Sequence, residues 1–490
     1  MNASLASTGI ATLDDVLGGG LPRSRLFLVQ GDPGAGKTTL GLQFLLAGAT
    51  NGEKGLYVTL SETEDEIKSV AASHGWSLDR LALFELSAFD QSASLEQDNS
   101  LFDFAEAELQ GTTKTMLARI EQVNPARVVF DSLSEVRLLA QSSLRYRRQL
   151  LALKQYFAGK ECTVVLLDDR TSEAGDPQLQ SLANGVLSME QVPPLYGEDR
   201  RRLRVVKLRG RKFRGGYHDF VIRTGGLEVF PRLVAAEHGT QLRGKSISSG
   251  IPALDALLGG GLDGGTSTLI IGPAGCGKSS LALHYAMAAA QQGGRVAIYA
   301  FDEGLGTLFS RGRTLGLDIA AEVQAGRAIV QRVDPAEMGP GEFAWTVRRA
   351  VEEKGARVVV IDSLNGYLQS MPEHGLLTVQ MHELLTYLAE MGVVTILVMA
   401  QHGLIGHMQS TVDISYLSDT VVMLRFFEAD GRVRKAISVL KKRSGQHEDT
   451  IREMSLGAGG LRVGEVLREF HGVLTGIPTY AGAGRGLIER

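Results

Sequence analysis

Apolar residues along this chain fall into two patterns. One is short, nearly unbroken blocks: "RLFLVQ" (25–30), "GLYVTL" (55–60), "RVVFD" (127–131) and "CTVVLLDD" (162–169) in the first half. "STLIIG" (267–272), "RVAIYAF" (295–301), "RVVVID" (357–362) and "VVTILVMA" (393–400) follow in the second. Blocks of that length without polar alternation predict strands buried on both faces. The other pattern is apolar residues at helical spacing, as in "KTTLGLQFLLAGAT" (37–50). Strand and helix patterns in alternation predict an α/β fold with a mainly parallel twisted sheet flanked by helices. Each half then ends in β-rich sequence. The stretch "TVVMLRFFEADGRVRKAISVLKKR" (420–443) reads as a hairpin turning at Asp430-Gly431.

The two halves repeat one another. "TGIATLDDVLGGGLP" (8–22) returns as "SGIPALDALLGGGLD" (249–263), so that Gly9, Leu13, Asp14 and Gly18 align with Gly250, Leu254, Asp255 and Gly259. "ARVVFDSL" (126–133) answers "ARVVVIDSL" (356–364), and "VVKLRG" (205–210) answers "VLKKRS" (439–444). A period near 240 residues is too long for a solenoid and indicates a duplicated domain. The expected organisation is a first domain over 1–237, a linker over 238–248, a second domain over 249–475 and a short tail over 476–490.

Composition narrows the class without naming it. The 490 residues are 44% hydrophobic and 22% charged, with a formal net charge of −4. That charge gives no overall pull toward nucleic acid or membrane. The two cysteines, Cys162 and Cys276, make neither a CxxC pair nor a zinc spacing. No basic-then-apolar leader opens the chain, and no run approaches 18 uninterrupted apolar residues. A cytoplasmic protein without a membrane partner is expected.

The chemistry sits in two glycine loops. Gly31, Asp32, Pro33, Gly34, Ala35, Gly36, Lys37, Thr38 and Thr39 form one. Gly272, Pro273, Ala274, Gly275, Cys276, Gly277, Lys278, Ser279 and Ser280 form the other. Both satisfy GxxxxGK[ST] between a strand block and a helical stretch. Glycines let the backbone turn its N–H groups toward phosphate oxygens, and the following helix adds its positive end. Lys37 and Lys278 are placed for the outer phosphates, and the Thr38 and Ser279 hydroxyls for Mg²⁺. Two matches at equivalent repeat positions make chance untenable, so ATP and Mg²⁺ are the expected ligands. Asp131 and Asp362, each ending an apolar strand, are the candidate magnesium acids; the alternative for each is a helix cap. For water activation the candidates are Glu62 in "LSETEDE" (60–66) and Asp302 and Glu303 in "FDEGLG" (301–306). The alternative there is an acidic helix start. Cys276, inside a loop at a helix end, is either a reactive thiol or a tolerated small residue.

Together these features resemble the KaiC family of RecA-superfamily ATPases over residues 5–480 or so. The resemblance implies two tandem RecA-like P-loop domains and an ATP-dependent homohexamer of two stacked rings. It implies slow ATP hydrolysis by the first domain and serine/threonine autokinase activity in the second. The family places two adjacent glutamates after the second strand; here Ser61-Glu62 and Asp302-Glu303 stand there. It also implies a Lys-x-Arg segment reaching a neighbouring subunit's γ-phosphate, matched by Lys207, Leu208 and Arg209 and by Lys441 and Arg443. The family's nearby histidine matches His447, with Phe213 in the first domain. In "DISYLSD" (413–419), Ser415 matches a phosphoacceptor serine, and Tyr416 replaces the threonine beside it. KaiB-like or signalling-kinase partners are implied as well. The family's longer tail recruits an activator, which is not expected to find a site in "TYAGAGRGLIER".

Two other readings stay open. A DNA-acting RecA- or RadA-type ATPase is favoured by "RRRLRVVKLRGRKFR" (200–214), nine basic residues in fifteen. Against it, the chain lacks a zinc finger, a protease-like tail and basic stretches interleaved with aromatics. A non-catalytic, nucleotide-gated scaffold is the third.

Overall fold

A computed structural model describes residues 4–86, 114–140, 142–169, 177–194, 196–238, 245–368, 374–401, 416–474 and 478–480. The chain divides into two compact units, Met1–Arg232 and Leu233–Arg490. The short helical turn Ala235–Glu237 belongs to the second unit, where Ala235 N–H donates to Glu383 at 3.2 Å.

Among the described residues, each unit is built on a nine-stranded sheet. In the first, the strands lie edge to edge in the order Leu81–Glu85, Gly55–Thr59, Arg127–Asp131, Thr163–Asp169, Leu26–Gly31, Gly185–Val192, Arg200–Leu208, His218–Arg223 and Gly226–Phe230. The first six run parallel and the last three extend the sheet antiparallel. The second unit repeats this order, from Ala328–Arg332 at one edge through Ser267–Gly272 in the middle to Gly460–Val466 at the other.

The central strands are buried on both faces, as their unbroken apolar runs require. Phe27, Val29, Val129 and Val165 join one core, while Leu28, Val128, Phe130 and Val164 join the core on the opposite face. The second unit divides Ile270, Ile298 and Val360 from Leu269, Tyr299 and Val359 in the same way. The expected hairpin is present: Thr420–Ala429 and Arg432–Lys442 pair antiparallel, with Asp430 and Gly431 at φ 53° and 67°.

The repeated "TGI…LDD" motif is a structural staple. Asp14 accepts from the Ser7 and Thr8 hydroxyls and the Thr8 N–H at 2.6–2.8 Å, and Asp255 accepts from Ser248 and the Ser249 N–H. In the first unit a fully buried Arg127 anchors the loop helix to the sheet. It donates to Glu53 at 2.5 Å, to Ser7 O at 2.6 Å and to Phe44 O at 2.7 Å, and lies over the Phe44 ring.

Candidate functional site

Each phosphate loop leaves the middle of its sheet and feeds directly into a helix, Lys37–Thr50 in the first unit and Lys278–Gln291 in the second. Gly36 and Gly277 cap those helices at φ 92° and 108°, where a side chain would be strained. A Cβ at Gly36 would also stand 2.6 Å from Ile222, and one at Gly277 2.5 Å from Leu456, so the antiparallel strands press on both loops. Thr38 and Ser279 are half-exposed at the loop, whereas Thr39 and Ser280 turn into the core. Asp32 accepts from Gln191 N–H at 3.2 Å.

In the first unit the acids converge. Strand pairing sets Asp131 beside Thr59, and its carboxylate accepts from Thr38 Oγ1 at 2.8 Å and from Tyr57 OH at 2.5 Å. Burial lifts the Asp131 carboxyl above the ordinary range, with hydrogen bonds from Tyr57 and Thr38 opposing. A carboxylate so placed beside a hydroxyl suits a hard divalent cation, which restores the charge balance that burial removes. The residues therefore fit Mg²⁺. Thr59 exchanges hydrogen bonds with the Glu62 backbone at 2.6 and 3.0 Å and so holds Glu62 at the strand tip. Burial, then the Asp131, Glu66 and Asp169 charges, raise the Glu62 carboxyl, and its Oε2 is buried with no partner among the described residues. The rest of the acidic run is a helix start: Thr63 and Glu66 form a capping box for Glu64–Ser73.

Lys37 Nζ reaches Gly31 O at 3.1 Å, Asp32 O at 2.8 Å and Asp169 Oδ1 at 2.7 Å. In the second unit Lys278 Nζ donates to Pro273 O at 2.7 Å. Asp362 takes a hydrogen bond from Ser279, and burial raises its carboxyl while Ser279 and Arg311 oppose. Both candidate bases there are engaged: Asp302 accepts a hydrogen bond from Ser363, and Glu303 pairs with Arg311 at 2.7 Å. The Cys276 thiol is fully buried and raised by that burial, which makes it an inert small residue.

The Lys-x-Arg segments occupy equivalent places. Lys207 and Arg209 donate to Gln180 O at 2.5 Å and Ser181 O at 2.8 Å. Lys441 and Arg443 donate to Ser418 O at 2.7 Å and Tyr416 O at 3.0 Å. Leu208 is buried in the core and His447 is half-buried. Strand register separates these cations from the loop of their own unit. Gly31 is level with Met189 and, across the next pair, Leu203, whereas Leu208 is level with Gly185 at the other end of the sheet. Several cations of the remaining basic run are used internally: Arg202 pairs with Glu190 and lies over Tyr217, Arg214 pairs with Asp15, and Arg211 donates to Gly18 O. Ser415 lies outside the described residues; Tyr416, at their boundary, is exposed.

Tyr57, Asp169 and Arg311 belong to these sites but are not in any motif, and Ser363 follows Asp362 in the repeated stretch 356–364. Asp169 carried a usable signal, an acid ending an apolar strand as Asp131 does. No helix among the described residues is long and apolar enough to cross a membrane.

A family model described as "ATPase: KaiC" matches residues 6–234 and again 247–468. Proteins described as "Circadian clock oscillator protein KaiC" align over nearly the whole chain. That of Acaryochloris marina is 27% identical over 96% of this chain and 91% of its own. That of Parasynechococcus marenigrum is 27% identical over 98% and 94%, and that of Synechococcus elongatus 27% over 96% and 91%.

Proposed function

The chain belongs to the KaiC family of ATPases, and on that premise we propose that it is an ATP hydrolase whose sites are completed between subunits of a double-ring homohexamer. The supporting observation is the register: Lys207, Arg209, Lys441 and Arg443 stand at the end of each sheet opposite its own phosphate loop. They serve a neighbour's nucleotide, with His447 alongside in the second ring. Nucleotide binding and assembly then form one linked equilibrium.

At the first site the loop N–H groups and Lys37 hold the phosphates, and Thr38 and Asp131 hold Mg²⁺, which neutralises charge on the phosphate oxygens. Glu62 takes a proton from water as its oxygen attacks the γ-phosphorus, and ADP leaves with the bridging oxygen. The neighbour's Lys207 and Arg209 stabilise the charge on the transferring group. At the second site Lys278, Ser279 and Asp362 play the binding roles, Asp302 and Glu303 supply the carboxylates, and Ser415 is the acceptor of an autokinase step. Support for that step is the placement of Lys441 and Arg443 against Ser418 and Tyr416, next to the acceptor segment. KaiB-like or signalling-kinase proteins are the partners this reading implies, in the cytoplasm.

The test is size exclusion with light scattering in Mg-ATP, followed by mass spectrometry of the same sample. The native chain assembles and gains phosphate at Ser415; Lys37→Ala does not assemble. A hexamer from Lys37→Ala removes the first site's control of assembly, and an unmodified acceptor segment removes the autokinase.

A further inference from the structure

We propose that Asp169 is a positioning residue of the first phosphate loop: it competes with nucleotide phosphate for the Lys37 ammonium and so sets the affinity of that site. The inference rests on the reading of both loops as ATP sites and adds an internal control to one of them.

An ammonium group has three protons to donate. Those of Lys37 face three acceptors, Gly31 O, Asp32 O and Asp169 Oδ1. Two are carbonyls of the loop itself; the third is a full negative charge from another strand. The pair is sheltered, with Lys37 7% and Asp169 28% exposed, so its attraction is screened less than that of a surface pair.

Asp169 is held in place from two sides. Its strand pairs with the loop strand so that Asp169 is level with Gly31. Its carboxylate accepts from Ser134 Oγ, and its N–H donates to the same oxygen, both at 3.3 Å. A phosphate oxygen reaching Lys37 must displace this carboxylate, and the two anions then share one edge of the site.

The second unit is a built-in comparison. There the residue level with the loop glycine Gly272 is Ala400, which carries no charge. The Lys278 ammonium has one hydrogen-bond acceptor among the described residues, Pro273 O. Among the described residues the duplicated site therefore has the equivalent loop and lysine without the competing carboxylate.

The experiment titrates a fluorescent ATP analogue with Mg²⁺ against the full chain, one site at a time. In a chain carrying Lys278→Ala, only the first loop binds. Adding Asp169→Asn should tighten binding about tenfold, and Asp169→Glu should return it toward the native value. In a chain carrying Lys37→Ala, Ala400→Asp should weaken the second loop by a similar factor. Melting temperatures without nucleotide check that each variant folds. If Asp169→Asn does not fold, Ala400→Asp decides alone. Unchanged or weaker binding with Asp169→Asn, or unchanged binding with Ala400→Asp, overturns the proposal while leaving both ATP sites standing. Absence of saturable binding to both Lys278→Ala chains overturns the first loop as an ATP site, and the proposal with it.

Discussion

If Arg209 acts only on a neighbour's nucleotide, two chains with different first-site defects must repair one another. Arg209→Ala keeps the loop and Glu62 but removes the donated guanidinium. Glu62→Gln keeps Arg209 and the loop but removes the base. Both carry Lys278→Ala, so that phosphate release reports the first site alone. Along the sheet, Arg209 donates its N–H to Asn184 O, five residues before Met189, which is level with Gly31; the bulge at Val206 adds no length. At ~3.3 Å per residue that is about 16 Å, more than an arginine side chain spans. Within one chain the two groups cannot meet. Each variant alone should fall to a thousandth of native activity, on the order of what a lost trans arginine costs. In an equimolar, randomly assembled mixture a working interface needs an intact Glu62 on one side and an intact Arg209 on the other. Half the subunits supply each, so about one quarter of the interfaces work in a head-to-tail ring. The assay is phosphate release in Mg-ATP after mixing, disassembly and reassembly. A mixture no more active than the average of its parts would refute the reasoning.

The remaining predictions address stability, pH and the second site. Glu53→Ala leaves Arg127 buried without its carboxylate and should destabilise the first unit by about 3–5 kcal/mol, read by denaturant unfolding. Burial opposes ionisation of Glu53, but hydrogen bonds from Arg23 and Arg127 outweigh it and hold the carboxyl below its ordinary value. Its contribution is therefore present above the unfolded-state pKa and lost as pH falls through the lower folded value, a loss that Glu53→Gln should abolish. Glu62 has to be ionised to take a proton, and its carboxyl is raised, so first-site hydrolysis should fail on the acid side above the usual carboxylate range. A pH–rate profile of the Lys278→Ala chain with that limb at an ordinary carboxylate value would count against Glu62 as base. Arg311→Val places in the second site the residue that Val70 supplies in the first, frees Glu303, and should raise second-site phosphate release severalfold in single-turnover assays.

What the sequence disclosed followed from how locally each feature is specified. The loops are legible because φ signs and phosphate geometry demand glycines and a lysine at fixed spacing. Asp131 and Asp362 are legible because each ends its own apolar run. The acidic run 61–66 was ambiguous for a physical reason: a capping box and a catalytic carboxylate call for the same residue types. The fold separates them, with Thr63 and Glu66 at the helix start and Glu62 at the strand tip. Arg311 was hidden because Glu303 meets it only once Leu305–Thr314 coils back toward the strand tip. Tyr57 was hidden because its role depends on which strands are neighbours, and nothing near it in the chain specifies that; Asp169 showed as an acid ending an apolar strand, but its partner Lys37 follows only from the strand order. The basic run 200–214 suggested nucleic acid by its density alone, since its partners Asp15 and Glu190 lie elsewhere in the chain and Tyr217 meets Arg202 only once the chain has turned back.

The antiparallel flap of the first unit has two occupations. Through Ile222 it leans on Gly36, and its first strand carries Lys207, with Arg209 just past the strand's end. If the proposed ring forms, a shift of the glycine turn would reach Lys207 through this one ribbon, and the loop of one protomer would then be geared to the side chains offered to the next.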